Sequence, residues 1–225
     1  MKIDILTLFP EMFDGFLSTS IIKRAREMGS VDIKVHNFRD YSTDKHGRVD
    51  DYPYGGGAGM VLMCEPIFRA IEDIRTEDSL VIMLSPGGRV FKQSVAVELS
   101  KKKHIILLCG HYEGFDERIK TIVDMELSIG DYVLTGGEVP SMVITDAITR
   151  LIPGVITSDS LDSESFNDGL LDYPNYTRPE VFRGMKVPDV LLSGHHKNIE
   201  KYRQEEKIRL TKENRSDLTG GDTNG

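Results

Sequence analysis

The stretch SIGDYVLTGGEVP, Ser128–Pro140, is the most informative part of this chain, because it places three glycines and one proline around a short apolar core. Glycine lacks a Cβ atom, so it allows positive φ angles and lets the backbone approach a ligand closely. The pattern predicts a short strand between two tight bends. Such a segment suits a pocket in which main-chain N–H and C=O groups recognise the ligand, although an ordinary glycine-rich turn explains the glycine count equally well.

Two further apolar runs end in glycine-containing loops. LSPGGR, Leu84–Arg89, follows one of them, and CGHYEG, Cys109–Gly114, follows Ile105–Leu108. Ligands of α/β sheets bind outside the carboxyl ends of the strands, so we expect the three loops to wall one pocket. A P-loop is excluded because methionine, and not lysine, follows the glycine run at positions 55–59. The G-x-G-x-x-G fingerprint of dinucleotide folds is also missing.

The composition indicates a globular chain of one large or two small domains, with 225 residues, 39% hydrophobic and 28% charged. A net charge of −8 argues against a generic polyanion binder, but it leaves room for a local basic patch. Cys64 and Cys109 are too few for a disulfide framework or a zinc site, so we expect buried free thiols. The first ten residues lack a signal-peptide layout and no apolar run could span a bilayer, which predicts a cytoplasmic protein.

Strands alternate with helices along the first two thirds of the chain, which indicates an α/β domain. Strands are predicted at residues 2–8 and 31–35 and near Val81 and Ile105. Helices are predicted at residues 12–28, 65–74, 94–100, 116–121 and 139–151. The polar, glycine-rich segment 37–59 is long enough to predict a functional loop.

The composition changes after residue 156. We expect an α/β domain at residues 1–156, a linker rich in serine and aspartate at 157–168, and a small, mainly helical domain at 169–215. Its main helix is predicted at 198–212. Residues 216–225 are polar and are predicted to be a disordered tail.

Several motifs together resemble one known family. They are Leu8–Phe13, Val49–Asp51, Pro53–Gly57, Gly110–Gly114, Ser128–Pro140 and Tyr176–Pro179. In this order, from Ile3 to about Arg209, they closely resemble the bacterial tRNA (guanine-N1)-methyltransferases of the TrmD type, in the SPOUT superfamily. The resemblance implies a homodimer whose parallel-sheet domain contains a trefoil knot, a topology that general rules of chain connection would never propose.

The resemblance also implies methyl transfer from S-adenosylmethionine to N1 of the guanine 3′ of the anticodon, tRNA position 37. The residues that it assigns to the methyl donor are Leu84, Ser85, Pro86, Gly110, Tyr112, Glu113, Gly114, Ile129, Gly130, Asp131, Tyr132, Val133, Leu134, Gly136, Gly137 and Pro140. Of these, Gly136 and Gly137 are expected to close the adenine pocket. The family further suggests assistance by magnesium, although no ligand cluster in the sequence demonstrates it.

Guanine N1 carries a proton at neutral pH, so a base must remove it, and a cation near O6 would stabilise the resulting charge. By resemblance the base is Glu164, before Ser165, and the cation is Arg150. The family commonly has aspartate at the position of Glu164, and the linker before this residue looks shorter in this chain. Asp162 is therefore the alternative base. A second departure is Gly87, which stands where the family usually has glutamine.

Contacts to tRNA are also assigned by resemblance. They involve Asp50, Ser165, Asp172, Arg178 and His195. Two other functions remain open at this stage. A SPOUT-like RNA-binding protein that holds the cofactor without catalysis would accommodate the unusual Glu164. A small-molecule enzyme without a knot would fit the three loops, but it would leave Tyr176–Pro179 unexplained.

Overall fold

The computed structural model describes residues 1–157 and 164–220. The chain forms two compact units, Met1–Ile156 and Thr157–Gly225. The limits predicted for the linker and the tail remain predictions.

A parallel sheet of five strands lies at the centre of the first unit, in the order β2-β1-β6-β5-β7. The strands are β1 (Lys2–Thr7), β2 (Asp32–Asn37), β5 (Ser79–Val90), β6 (His104–Cys109) and β7 (Met125–Ser128). A short antiparallel pair, β3 (Asp50–Asp51) and β4 (Val61–Leu62), forms separately. Every residue of β6 is buried, as expected for a central parallel strand that is covered on both faces.

Helices cover both faces of this sheet. They are α1 (Asp14–Leu17), α2 (Ser20–Glu27), α3 (Cys64–Ile74), α4 (Gln93–Leu99) and α5 (Glu138–Thr149). Side chains alternate between the two faces along a strand. Ile105 and Leu107 of β6 therefore pack in one core with Ile144 of α5, whereas Ile106 packs in a second core with Ile67 of α3. The α/β architecture predicted from the alternating pattern is confirmed.

One predicted helix is broken. The sequence predicts a continuous helix over residues 12–28, but a 3-10 turn at Pro10–Phe13 and the single turn of α1 come before α2. The hydroxyl of Ser18 donates to the carbonyl of Asp14 at 2.6 Å, and that of Thr19 donates to Gly15 at 2.7 Å. Such hydroxyls compete with the helical hydrogen bonds of the backbone, which explains the break.

Other local expectations also need correction. The glycine-rich stretch contains no strand of its own, because β7 ends at Ser128 and α5 begins at Glu138, with bends between them. The segment at Glu117–Ile122 is a 3-10 helix. The predicted long loop 37–59 contains a 3-10 turn and β3. Cys64 is half-buried, whereas Cys109 is buried as expected.

A buried ionic cluster surrounds Asp4 of β1, whose side chain is completely inaccessible to solvent. Its carboxylate oxygens lie 2.6 Å from Lys2 Nζ, 2.7 Å from His36 Nε2 and 2.6 Å from His104 Nε2. The second ring nitrogen of His104 lies 2.6 Å from Ser79 Oγ. Burial alone would raise the pKa of Asp4, but the hydrogen bonds from His36, Lys2 and His104 lower it to about 2.

The second unit combines a hairpin with helices. Strands β8 (Val181–Phe182) and β9 (Met185–Lys186) pair antiparallel, and α6 (Asp189–Leu192) and α7 (His196–Asn214) follow. A 3-10 helix at Ser216–Thr219 lies at the start of the segment that is predicted to be a tail. Within the two described stretches, no helix is long and apolar enough to cross a membrane.

Candidate functional site

The three glycine-containing segments line one cavity of about 780 Å³, which lies at the carboxyl ends of β6 and β7 and along the second half of β5, where pairing with β7 shifts register between Leu84 and Arg89. This volume is in the usual range for small-molecule and cofactor sites. The wall contains all the residues that the sequence assigns to the methyl donor except Asp131, which is exposed. The expectation that the three glycine-containing segments wall one pocket is confirmed, but the first of them, Leu84–Arg89, is part of β5 and not a loop after it.

The backbones of these loops pack directly against each other. The N–H of Gly137 donates to the carbonyl of Gly110 at 2.8 Å, and His111 forms an antiparallel bridge with Gly136. A Cβ atom on Gly137 would lie 2.6 Å from the Cα of Cys109, and one on Gly88 would lie 2.5 Å from the backbone nitrogen of Leu127. Glycine is therefore required at both positions so that the backbone can approach the neighbouring strand closely.

At two other positions glycine is needed for a different reason, the closeness of a side-chain ring. A Cβ atom on Gly110 would meet the ring of Phe115 at 2.7 Å, and one on Gly130 would meet the ring of Tyr132 at 2.6 Å. Both contacts are with protein side chains. The sequence interpretation, in which glycine makes room for a ligand, thus covers only part of what these residues do. By contrast, a Cβ atom on Gly87 would have Ser85 Oγ at 3.8 Å as its nearest neighbour.

A charged cluster that the sequence did not indicate also belongs to the wall. Lys120 Nζ lies 3.0 Å from Glu117 and 3.5 Å from Glu126, and Glu126 accepts a hydrogen bond from Ser85 Oγ at 3.1 Å. The hydrogen bond with Glu117 and the charge of Glu126 raise the pKa of Lys120. Only Ser85 carried a sequence signal, since the three charged residues lie outside the glycine motifs.

His111 is a second wall residue that sequence reasoning missed. Its ring packs against Phe9 at a centroid distance of 4.8 Å and against Tyr112 at 5.1 Å. Its Nδ1 atom is buried and has no hydrogen-bond partner among residues 1–157 and 164–220. Because buried polar atoms are normally paired, this nitrogen is a candidate for a hydrogen bond with a ligand. Tyr112 itself has a φ of 58°, which is uncommon for a residue other than glycine.

Glu138 lies buried at the start of α5, beside this cavity wall. Its carboxylate accepts a hydrogen bond from Thr7 Oγ1 at 2.7 Å. Burial, and then the negative charge of Glu138, raise the pKa of the Cys109 thiol. The thiolate is the nucleophilic form of cysteine, so Cys109 is not poised as a nucleophile at neutral pH.

In the second unit, three of the predicted residues lie in one compact loop, residues 164–172. Ser165 Oγ accepts a hydrogen bond from the backbone N–H of Asp172 at 2.9 Å. The carbonyl of Glu164 accepts one from the backbone of Asn167 at 3.4 Å. The alternative base, Asp162, falls outside the described residues.

The remaining predicted residues lie elsewhere. Arg150 follows the end of α5 and Asp50 belongs to β3; both are half-buried, and neither contributes to the cavity wall. Arg178 and His195 are exposed, and His195 directly precedes α7. The described part of the chain contains no group of three or more His, Cys, Asp and Glu side chains that could hold a metal ion.

Comparison with known proteins identifies the family of this chain. The family model described as tRNA (Guanine-1)-methyltransferase TrmD matches residues 1–221. Proteins named tRNA (guanine-N(1)-)-methyltransferase are similar over nearly the whole chain. That of Ureaplasma urealyticum is 61% identical over 97% of this chain and 96% of its own length. Those of Staphylococcus aureus and Dictyoglomus turgidum are 59% and 58% identical over 97% of this chain, and over 90% and 89% of their own lengths. The chain therefore belongs to the TrmD family of tRNA (guanine-1)-methyltransferases.

Proposed function

We propose that this protein transfers a methyl group from S-adenosylmethionine to N1 of guanine in tRNA, at position 37. The observation that carries the proposal is the match of residues 1–221 to the family, with relatives of that name at 58% to 61% identity. The cavity adds support, because its volume of about 780 Å³ suits a nucleoside-sized cofactor.

The cofactor, when bound, supplies an electrophilic methyl group on a sulfonium. The residues present fit such a group. Main-chain N–H and C=O groups of 129–137 would hold its adenine ring, with Gly136 and Gly137 closing the pocket. The unpaired Nδ1 atom of His111 offers a further hydrogen bond inside the same wall.

The chemical step requires removal of the proton from guanine N1. In the proposed mechanism the carboxylate of Glu164 accepts this proton, and Arg150 offsets the charge that develops on O6. Supporting this assignment, Glu164 shares one compact loop with Ser165 and Asp172, which are proposed to contact tRNA. Assistance by magnesium remains a prediction from the family resemblance.

The family also leads us to propose the SPOUT-type trefoil knot. In support, the chain leaves the edge strand β7 and returns to the end of the central strand β6, where Gly137 N–H binds the carbonyl of Gly110. Helix α5 then packs into the core that contains Ile105. The two-unit organisation agrees with a separate C-terminal domain that contacts tRNA, and action in the cytoplasm follows from a tRNA substrate.

We further propose a homodimer in which each site is completed by the partner. Val139 and Val143, one helical turn apart on α5, are each more than 40% exposed, which would suit a symmetric apolar contact. Mixing a Glu164→Gln variant with a Gly87→Phe variant, whose cavity is filled, should restore part of the lost activity. No restoration, after subunit exchange has been verified, would contradict a shared site.

The function itself is tested by incubating the protein with labelled S-adenosylmethionine and unmodified tRNA. N1-methylguanine should appear at position 37, and replacing that guanine should abolish it. Binding of cofactor and tRNA without methyl transfer would instead identify an RNA-binding protein that has lost catalysis. Methylation at another nucleotide would contradict the proposed position.

A further inference from the structure

Helix α7 and the residue that directly follows it contact the loop 164–172 at three points. Lys207 Nζ lies 2.6 Å from Asp168 Oδ2. Thr211 Oγ1 accepts a hydrogen bond from the backbone N–H of Leu171 at 2.9 Å. The guanidinium of Arg215 lies 5.7 Å from the ring centroid of Phe166. Residues four apart lie on the same face of a helix, so Lys207 and Thr211 form one contact surface. Arg215, directly after the last residue of α7, adds the third contact.

Lys207 is unusual within this face. The residue is only 7% exposed, and lysine is almost never buried unless its charge is paired. Its partner is the half-exposed Asp168. Burial would raise the pKa of Asp168, but the hydrogen bonds from Lys207 and from the backbone N–H of Leu170 lower it. The carboxylate of Asp168 is therefore charged at neutral pH. Removing either one would leave the other without its partner.

The residues that Lys207 and Thr211 contact, Asp168 and Leu171, lie on both sides of the turn in this loop. Asp168 accepts from Leu170 N–H at 3.2 Å, and Phe166 N–H donates to the carbonyl of Leu170 at 2.7 Å. Ser165 Oγ then closes the loop onto Asp172. A displacement of Asp168 would therefore be transmitted to residues 164–166 through main-chain hydrogen bonds.

We propose that Lys207 is a positioning residue for methyl transfer: through Asp168 it fixes the loop 164–172, and thereby the direction in which Glu164 presents its carboxylate. The inference rests on the proposed function, in which Glu164 removes the proton from guanine N1. Lys207 touches neither substrate nor cofactor in this scheme. General-base catalysis depends on the carboxylate being within hydrogen-bond reach of that proton, so a shift of about 1 Å would lower the rate of the chemical step.

The test compares Lys207→Met with Lys207→Arg by single-turnover formation of N1-methylguanine under saturating substrates. The methionine variant keeps an aliphatic stem but loses the ion pair. We expect its rate to fall about tenfold, with unchanged affinity for S-adenosylmethionine, and we expect the arginine variant to recover most of the rate. Arg209→Met is the matched control, because Arg209 lies on the same helix and, within the described part of the chain, forms its ion pairs with Glu206 and Glu213 of that helix. Its rate should equal that of the original protein.

If Lys207→Met does not fold, Asp168→Asn removes the same ion pair by changing the other partner. Its rate should fall to a similar degree, and combining the two substitutions should add little. An unchanged rate in either folded variant would overturn the inference, as would a loss in cofactor affinity equal to the loss in rate. Failure of arginine to recover any rate would also count against it. An unsubstituted protein that does not methylate tRNA would instead contradict the proposed function.

Discussion

The cavity of the first unit and the loop 164–172 of the second unit are built by opposite means. The cavity wall is held by main-chain contacts between glycine loops, such as the hydrogen bond from Gly137 to Gly110. The loop is held by side chains that project from one face of α7, among them Lys207 and Thr211. Backbone contacts leave little freedom for substitution, whereas side-chain contacts allow a partner to be exchanged for another of similar reach.

This difference also decides how visible each region is in the sequence. Glycines that allow two loops to meet are clustered, so SIGDYVLTGGEVP attracts notice by itself. The partners Asp168 and Lys207 are 39 positions apart, and lysine on a charged helix looks like an ordinary solvated residue. The four predictions below test the contrast between the two kinds of region, beginning with the largest expected effect.

The largest effect is expected at the proposed base in the side-chain-built loop. Glu164→Gln keeps the shape of the side chain and removes its ability to accept a proton. Turnover should fall by about 10²-fold or more, the usual scale for loss of a general base, while tRNA and cofactor binding stay nearly intact. Steady-state kinetics and calorimetry measure the two quantities. Asp162→Asn should have a much smaller effect, and the reverse result would move the role to Asp162.

In the backbone-built cavity, Gly137→Ala should destabilise the protein by about 3 kcal/mol, the upper part of the usual range for overpacking. The added Cβ atom would press on the backbone at Cys109, 2.6 Å away, and the backbone cannot rotate aside. Gly87→Ala is the control in the same wall, because its Cβ atom has no neighbour closer than 3.8 Å. Urea unfolding would measure both. Equal stabilities would show that the loops adjust more easily than their contacts indicate.

The cluster around Asp4 has a fully buried carboxylate, which can be compared with the half-exposed carboxylate of Asp168. The folded-state pKa of Asp4, about 2, lies below its ordinary value of 3.8. The resulting stabilisation is present above about pH 4 and is lost as the pH falls towards 2. It amounts to about 2 kcal/mol, at 1.36 kcal/mol for each unit of pKa. Unfolding free energies between pH 2 and 6 should therefore change less steeply in Asp4→Asn than in the original protein, and identical slopes would contradict this role.

The smallest effect concerns salt. With a net charge of −8, the chain must contact tRNA through a limited positive zone. Candidate residues are Arg150, Arg178, Arg183, His195, Lys197, Lys201 and Arg203. Each phosphate contact contributes a slope of about −0.7 to −0.9 to the plot of log affinity against log salt, so a few contacts should give a modest slope.

Changing the guanine before the target should lower turnover more than changing a distant stem pair. A steep slope with indifference to loop sequence would indicate non-specific RNA binding.

The sheet and the cavity could be predicted because their signals are local. The apolar runs at Ile3 and Ile105 identify strands, and the glycines that follow the strands identify loops at their carboxyl ends. The break between α1 and α2 could not be predicted in the same way. It depends on whether the hydroxyls of Ser18 and Thr19 bind the preceding carbonyls, and these residues are also found inside helices.

The parts of the site that were missed involve side chains brought together by the fold. Lys120 and Glu126 lie on a 3-10 helix and on an edge strand, and only the sheet topology brings both into the cavity wall beside Ser85. His111 lies inside a recognised motif, but the burial of its Nδ1 atom appears only in three dimensions. The base assignment, by contrast, came from family resemblance, because no local pattern distinguishes Glu164 from a solvated carboxylate.

The contrasting burial of the two cysteines has a practical consequence for spectroscopy. Cys109 is enclosed and its thiol pKa is raised, so alkylating reagents, which attack the thiolate, should not modify it in the folded protein. Cys64, half-buried at the start of α3, is then the position available to a maleimide dye, slowed by its own raised pKa. The protein should carry one dye per chain when native and two after denaturation. It thus offers a single labelling position for fluorescence without any engineered cysteine.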